Sequence, residues 1–448
     1  MRLACFPGPG SLRAISAKAK PQVTIHLEDE RPAYTSHDRI QGTADIRVEQ
    51  DTEFTDVEIA FVGSSETHIE RLNTCPVMAS FERLSQNSIN MRQSDLDQQY
   101  PVDRTLRSGH VFTFPFDFAI PETMDADKCS HFVQHAAVRE EHLRLPPTFG
   151  DRAVNPLHGR SEDDVPEGVM VKYRIRARVV QESHGKGRCK SVYVAHGERA
   201  IRLLPFARCV APLYSGNPLC SWWDLEMHAE QRIQRENSGT IVATASQPKD
   251  LEIQVSANGV RFAARPLAIT TGLRHDGTKA AKEPPRLKKL SSKLKTYTCF
   301  STTPYEDWPS LSESKHDASK ALHGRTLRLA ARDTSDLRWD TARSESFASA
   351  SEYPRDMKMS KDDTIRTRSS ESSDLSPHSS HVAELIVPVE IPRERLIAPT
   401  FDSCLMSHFH ILEISLIFNT ASFGDTVKLR IPLRVTVAPI RHIGFSEN

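Results

Sequence analysis

The stretch at 111–121, VFTFPFDFAIP, decides the fold of this chain. It places a phenylalanine at every second position from 112 to 118. Side chains two residues apart point to the same side of an extended strand, so the four rings share one face and predict the core of a β-sandwich. Pro115 has no N–H to offer a neighbouring strand, which predicts that this strand lies at a sheet edge or contains a bulge.

A period of two runs through most of the first 205 residues. Residues 169–180, VMVKYRIRARVV, alternate apolar with mostly basic side chains, and similar runs occupy 23–27, 40–48 and 57–61. Gly42, inside one of these runs, predicts a bulge or a close approach between strands. Residues 21–205 therefore predict about eight short strands of an antiparallel β-sandwich, separated by turns and by a long polar loop at 73–108 with a short helix near 77–84.

Alternating strands return near the end of the chain, above all at 407–418 and 427–438. Between them and the first sandwich, 274–381 is rich in Ser, Lys, Arg and Asp and has little apolar periodicity, so it predicts a disordered insertion. The fold class is all-β, with two immunoglobulin-like antiparallel β-sandwiches, the second interrupted by that insertion. The predicted parts are a disordered leader at 1–20, a first sandwich at 21–205, a connector at 206–238, and a second sandwich made of 239–273 and 382–440.

Composition narrows the function classes. The 448 residues contain 58 basic and 58 acidic side chains, so the chain lacks the overall positive charge of a general nucleic-acid binder. The eight cysteines form no Cys-x-x-Cys pair, which favours reduced thiols in a cytosolic protein. The basic segment 1–20 also fits a mitochondrial transit peptide, although the run PGPG at 7–10 would break its helix.

Motifs in a fixed order give a resemblance to a known family. The order is VTI (23–25), Tyr34, IQG (40–42), VEIAFVG (57–63), FPFDFAIP (114–121), LPPTFGD (145–151) and VKYRI (171–175). Near the end of the chain follow PTF (399–401), ILEI (411–414) and IPLRV (431–435). This order resembles the arrestin-fold proteins, in the style of the alpha-arrestins. The resemblance covers about 21–205 and 383–440.

The resemblance implies a function without catalysis. Such proteins are cytosolic trafficking adaptors that bind membrane transporters or receptors as cargo, at the plasma membrane or endosomes, and recruit a HECT-type ubiquitin ligase for endocytosis. Cargo tails would bind by strand addition or on concave sheet faces. The second hypothesis is a structural scaffold subunit of a protein-sorting or coat complex. The third is an enzyme or metalloprotein.

One element of the family pattern is missing. Ligase recruitment there uses Pro-Pro-x-Tyr segments that dock on WW domains as extended proline-rich ligands, and this chain contains none. The nearest segments are PTF at 147–149, which lacks the tyrosine, PAY at 32–34, and PLY at 212–214, which holds Pro212 and Tyr214. Pro212 and Tyr214 are the candidate degenerate docking residues.

The insertion offers candidates for membrane contact and regulation. Its basic run at 279–295 predicts a short amphipathic helix, or alternatively a solvated linker, and provides candidate membrane or partner contacts at Lys288, Lys289, Lys293 and Lys295. The segment 366–370, RTRSS, makes Ser369 and Ser370 candidate phosphosites. A phosphate there would add negative charge, which would either dock on an arginine cluster or weaken a membrane contact.

Signals for catalysis or for a metal are sparse. The chain has no Walker A loop, no Gly-x-Ser-x-Gly elbow and no His-Glu-x-x-His helix, so we expect no enzyme activity and no cofactor. Cys129 and His131, followed by His135 and His142, offer sulfur and nitrogen donors that zinc favours. Because a Cys-x-His spacing is unusual for structural zinc and no cysteine pair lies nearby, we expect a loop with surface histidines rather than a metal site.

Overall fold

The computed structural model describes fifteen ranges of the chain. They are 21–71, 80–154, 165–185, 188–206, 230–235, 239–245, 248–256, 259–262, 267–277, 283–309, 316–333, 337–341, 380–392, 397–419 and 425–438. No helix within these ranges is long and apolar enough to cross a membrane. The predicted leader at 1–20 and most of the connector lie outside them.

The first part of the chain forms an all-β sandwich. Its strands are β1 (Gln22–Leu27), β2 (Arg39–Arg47), β3 (Thr52–Glu53), β4 (Asp56–Arg71), β5 (Ser80–Arg92), β6 (Thr105–Leu106), β7 (Val111–Ala119), β8 (Val169–Gly185) and β9 (Arg188–Ile201). One sheet has the order β1-β2-β7, the other the order β5-β4-β8-β9, and β3 pairs with β6. A single α-helix among the described residues, α1 (Ala136–His142), follows a 3₁₀ turn at Ala126–Cys129.

The phenylalanine strand forms the core of this sandwich as the sequence predicts. Phe114, Phe116 and Phe118 are buried, and Phe118 approaches Phe61 of the facing sheet with ring centroids 6.3 Å apart. Phe61 in turn stacks on Tyr173 of β8 at 5.9 Å. Since β7 is the last strand of its sheet, Pro115 needs no second strand partner, and the predicted edge position is confirmed.

The second part of the chain forms another sandwich. Its strands are β10 (Glu230–Arg235), β11 (Gly239–Ala245), β12 (Leu251–Ser256), β13 (Gly259–Phe262), β14 (Leu267–Asp276), β15 (Arg286–Ser301), β16 (Lys320–Asp333), β17 (Asp340–Thr341), β18 (Ser380–Val389), β19 (Phe401–Asp402), β20 (Met406–Asn419), β21 (Asp425–Leu433) and β22 (Val435–Val437). One sheet has the order β10-β11-β14-β18-β17, and the facing sheet the order β16-β15-β20-β19 with β21 on β20. A small third sheet has the order β13-β12-β22.

The predicted disordered insertion at 274–381 is wrong for much of its length. Strands β15 and β16 lie inside it. Strand β15 pairs with β16 on one side and with β20 on the other, and these are the two longest antiparallel ladders of the second sandwich. Residues 342–379 lie outside the described residues. The predicted amphipathic helix at the basic run is also wrong, since this run enters strand β15.

A β-bulge explains the false helical pattern. The register of β15 against β20 shifts between Leu287 and Lys289, and its register against β16 shifts between Ser291 and Lys293. The extra residue lets Leu287, Leu290 and Leu294 all face the core although their spacing is three and four, as in a helix. The next two inward positions after Leu294 are Thr296 and Thr298, so the apolar alternation is interrupted before the buried Phe300.

Two smaller predictions are also wrong. The polar stretch predicted as a loop with a helix near 77–84 contains the strand β5 (Ser80–Arg92), which pairs with residues 60–71 of β4. The predicted connector at 206–238 contains β10 (Glu230–Arg235). In β5 the polar side chains alternate with few apolar ones, because the strand is at a sheet edge where one face and one edge meet solvent.

Gly42 lies where β1 and β2 approach closely, as its position in the sequence predicts. A Cβ at this residue would stand 2.0 Å from the carbonyl oxygen of His26 and 2.8 Å from the ring of Phe116. We expect Gly42→Ala to lower the free energy of unfolding by about 2–3 kcal/mol, because backbone on one side and a core ring on the other leave no room for a methyl group. Thr24→Ala, at an exposed site on β1, should change it by less than about 1 kcal/mol in the same denaturant titration. Equal effects of the two substitutions would contradict the close approach.

Candidate functional site: a basic sheet face and an interdomain cluster

The two sandwiches share a buried interface. The Thr67 hydroxyl of the first donates to the carbonyl oxygen of Ser301 in the second at 2.7 Å, with no exposure to solvent. The ring of Phe149 packs against Phe401 and His408 of the second sandwich, with centroids 5.5 and 4.8 Å apart. These contacts belong to one continuous apolar cluster, so the sandwiches are packed against each other rather than merely tethered.

Two histidines of β20 are buried beside this interface. The His410 Nε2–H donates to the carbonyl oxygen of Ala398 at 3.0 Å, so Nδ1 is unprotonated and accepts from the Thr296 hydroxyl at 3.0 Å. The Nδ1 of His408 pairs with the Thr298 hydroxyl at 2.9 Å. Burial lowers the pKa of His410 to about 4 and that of His408 well below its usual value, because the charged imidazolium would lose its hydration. Both rings are therefore neutral at pH 7.

The outer face of the β15–β20–β21 sheet carries a strong positive charge. Glu413 of β20 is buried, and its carboxylate accepts Lys295 Nζ at 2.6 Å and Arg430 Nε at 3.4 Å, with Lys293 Nζ at 3.9 Å. Register places Arg328 opposite Lys293, and Lys428 opposite Ser415, two residues along β20 from Glu413. We call the set made of Lys293, Lys295, Arg328, Lys428 and Arg430 the basic sheet face; it surrounds a single carboxylate.

The predicted lysine candidates divide into two groups. Lys288 and Lys289 are exposed near the start of β15, and neither forms an ion pair with the residues that the structure describes. Lys293 and Lys295 belong to the basic sheet face, half-buried beside Glu413. All four lie on strand β15 rather than on a helix.

The structure shows which residues of the degenerate docking segments are buried. Phe149 is fully buried and Tyr34 is 3 % exposed, with its hydroxyl donating to the carbonyl oxygen of Asp29. Neither side chain is free to enter a groove on another protein. Pro212, Tyr214, Ser369 and Ser370 lie outside the described residues, so their candidate roles stay predictions.

A second group of functional side chains gathers between the sandwiches. We call it the Cys/His cluster; its donor atoms all lie within 4.8 Å of one another, and its members are Cys129, His131, His142 and Cys404. Three members come from the first sandwich, at the end of a 3₁₀ turn, in the following loop and at the last residue of α1. Cys404 comes from the second sandwich, in the tight turn between β19 and β20.

Local hydrogen bonds hold the loop part of the cluster in place. The Arg139 guanidinium donates to the carbonyl oxygens of Cys129 at 2.6 Å and His131 at 3.3 Å. His131 Nδ1 lies 2.8 Å from the carbonyl oxygen of Phe132 and therefore carries the proton, which leaves Nε2 unprotonated 3.4 Å from the Cys129 sulfur. Burial lowers the pKa of His142 to about 3 and raises that of Cys404 to about 12.

The sequence pattern found only part of this cluster. It singled out Cys129, His131, His135 and His142, and three of these four meet. His135 precedes the first turn of α1 and is not part of the cluster. Sequence analysis missed Cys404 because it follows the other members by more than 260 residues. Metal-ligand motifs are recognised by short spacings, and no such spacing connects residues this far apart. The segment around it, CLMS at 404–407, contains no motif that would indicate a metal ligand.

An open cleft adjoins the cluster. It has a volume of about 480 Å³ and is lined by the loop of the first sandwich on one side, at His131, Phe132 and Gln134, and by 303–307 of the second sandwich on the other. His131 contacts both the cleft and the cluster, so solvent reaches the cluster on this side.

One known family model matches part of the chain. Residues 23–140 match the family model described as arrestin (or S-antigen), N-terminal domain. This part of the chain is similar to an arrestin N-terminal domain. The first sandwich follows that family from β1 into α1, which confirms the family resemblance and the predicted fold class. No curated protein matches the chain. An arrestin-family domain supports a general role as a trafficking adaptor, and proteins of this family are generally not enzymes.

The buried histidines of β20 make the stability of the chain sensitive to acid. The unfolded chain binds a proton at His410 near pH 6.5, whereas the folded chain does so only near pH 4, so stability is fully present above pH 6.5 and is lost as pH falls towards 4. His410→Gln can keep both hydrogen bonds without titrating. We expect this variant to lose less stability than the wild type between pH 7 and 5, by about 2 kcal/mol at most.

The measurement is denaturant unfolding at several pH values. His196→Gln, at an exposed position on β9, is the matched control and should leave the pH dependence unchanged. Parallel curves for the wild type and His410→Gln would show that His410 is not buried in its neutral form.

Proposed function

We propose that this arrestin-like chain is a trafficking adaptor without catalytic activity, which docks peripherally on the cytoplasmic face of the plasma membrane or endosomes and holds membrane-protein cargo there. The arrestin N-terminal domain at 23–140 supports the adaptor class. The observation that carries the membrane part is the basic sheet face together with the exposed lysines at the start of β15. Both lie on one sheet of the second sandwich.

The charge balance of this sheet favours an anionic surface. Strands β15 and β16 together contain nine Lys and Arg residues and one acid, Asp333. Glu413 neutralises part of the positive charge next to Lys295 and Arg430, which leaves Lys288, Lys289 and Arg328 exposed and available to lipid headgroups. A basic side chain near an anionic leaflet contributes about 1 kcal/mol, so several of them together give reversible, salt-sensitive binding.

The exposed edge of strand β16 in the same sandwich provides a binding site for cargo. Strand β16 is the last strand of its sheet among the described residues, and its middle, from Gly324 to Thr326, is exposed. An extended segment of a cargo tail can pair with such an edge through main-chain hydrogen bonds. The neighbouring arginines Arg325 and Arg328 favour a tail with acidic residues.

The membrane proposal predicts a specific loss of binding. The double variant Lys288→Glu, Lys289→Glu removes two cations and adds two anions, and we expect its affinity for vesicles containing phosphatidylserine to fall by roughly 30-fold or more. The wild type should bind these vesicles, release them at high salt, and not bind vesicles of phosphatidylcholine alone. Co-sedimentation measures all three results.

The control has the same change in charge at another place. Arg47→Glu, Arg152→Glu alters two exposed arginines of the first sandwich and should retain most of the binding. If both double variants lose binding equally, the effect is one of net charge, and the basic sheet face is not the docking surface.

The cargo and ligase parts of the proposal need a cellular test. Proximity labelling with the full chain should mark membrane transporters or receptors, and a HECT-type ubiquitin ligase if Pro212 and Tyr214 replace the missing docking motif. Tyr214→Ala should then lose the ligase and keep the membrane proteins, because a WW domain reads the tyrosine and the preceding proline. Substitution of Ser369 and Ser370 by Asp should weaken membrane labelling if phosphorylation opposes docking.

A different pattern of labelling would favour the scaffold function. Labelling of one fixed partner, with stoichiometric co-purification at high salt and no membrane protein, would contradict the adaptor proposal. It would instead indicate a structural subunit of a sorting or coat complex.

A further inference from the structure

We propose that the Cys/His cluster binds one Zn²⁺, which ties the two sandwiches to each other. Three of its donors belong to the first sandwich, and Cys404 belongs to the second. The site would be structural, since four protein donors leave no position open for a substrate. It is independent of membrane docking and of cargo.

The distances fit a tetrahedral zinc ion. Zinc lies about 2.3 Å from thiolate sulfur and about 2.0–2.1 Å from imidazole nitrogen, so a regular tetrahedron separates sulfur from nitrogen by about 3.5 Å and sulfur from sulfur by about 3.8 Å. The Cys129 sulfur lies 3.4 Å from His131 Nε2 and 3.9 Å from His142 Nδ1. All four donors lie within 4.8 Å of each other, so small side-chain movements close the remaining gaps.

The donor set favours zinc over other common ions. Two thiolates and two imidazoles are the ligands of structural zinc, whereas calcium and magnesium require oxygen. Binding of Zn²⁺ releases the two thiol protons, and the resulting complex of one Zn²⁺, two thiolates and two neutral imidazoles has no net charge. Such a complex can be buried without an unpaired charge, and three of the four side chains are 2 % exposed or less.

The surroundings already orient the donors. The Nδ1 proton of His131 points to the carbonyl oxygen of Phe132, which leaves Nε2 directed at the cluster. Arg139 fixes the carbonyl oxygens of the loop from Cys129 to His131. The Gln86 side-chain amide lies 3.5 Å from the Cys404 sulfur and can donate to a thiolate there. Partners of this kind hold ligands in place at metal sites.

The cleft beside the cluster gives zinc a route in. His131 is the one member that is not buried, and it also lines the cleft of about 480 Å³ between the two sandwiches. The ion can therefore reach the site after both sandwiches have folded. The same two cysteines could form a disulfide instead, and the experiment has to separate the two outcomes.

Metal analysis of the purified full chain tests the proposal. Protein expressed with zinc in the medium should contain one zinc per chain by mass spectrometry, and its X-ray absorption should show two sulfur and two nitrogen ligands. Cys404→Ser and His131→Ala should each reduce the zinc content at least tenfold. His131 is the most exposed donor, so this second variant keeps the test valid if Cys404→Ser does not fold.

The matched control is His135→Ala. His135 lies in the same loop and belongs to the sequence pattern, but it is outside the cluster, so this variant should keep its zinc. A strong chelator should lower the melting temperature of the wild type and of His135→Ala, and leave that of His131→Ala unchanged. The proposal is overturned by a wild-type chain that takes up no zinc, by full zinc content in Cys404→Ser or His131→Ala, or by a Cys129–Cys404 disulfide in the purified protein.

Discussion

The burial of strand β20 on both faces is the constraint on which the rest of the structure depends. Every residue from Met406 to Leu416 is buried. The face with Leu412 and Ile414 packs in the core of the second sandwich, while the other face, at Phe409 and Ile411, is covered by Val138 of α1 and by Trp308. A strand with two covered faces has no freedom to shift, since a slip by one residue would exchange its two faces. The helix from the first sandwich is thereby fixed against the second.

The position of α1 determines where the Cys/His cluster lies. Its last residue, His142, and the loop before it reach the turn that precedes β20, which holds Cys404. Farther along the same outer face, the apolar residues that contact α1 are followed by Glu413, which forms ion pairs with the surrounding cations. From the turn before β20 along this strand lie, in order, Cys404 of the cluster, the apolar contact with α1, and Glu413, which the basic sheet face of the neighbouring strands surrounds. The zinc proposal concerns the turn before β20, whereas the membrane proposal concerns the neighbouring strands β15, β16 and β21.

Polar residues inside the core explain why this arrangement was hard to read from the sequence. Pairs such as Thr296 with His410 and Thr298 with His408 fill inward positions that a pattern of apolar residues would leave unassigned. A buried polar group is tolerated when its hydrogen bonds are made across the sheet, and the partner lies more than a hundred residues away. Strand β15 contains such threonines and a bulge. The spacing of its leucines is therefore like that of a helix, and its polar composition is like that of a disordered linker. Strand β7 has four phenylalanines and no bulge, and its core-facing side and its edge position were predicted correctly.

The sequence by itself determined the all-β class, the first sandwich and the close approach at Gly42, because alternation with a period of two is a local property of an extended chain. It also showed three of the four donors of the Cys/His cluster. Only the tertiary structure decided that β15 and β16 belong to the second sandwich and that Cys404 joins the cluster instead of His135. The physical reason is that sheet pairing and packing between sandwiches bring together residues far apart in sequence, and no local pattern records which of them will meet.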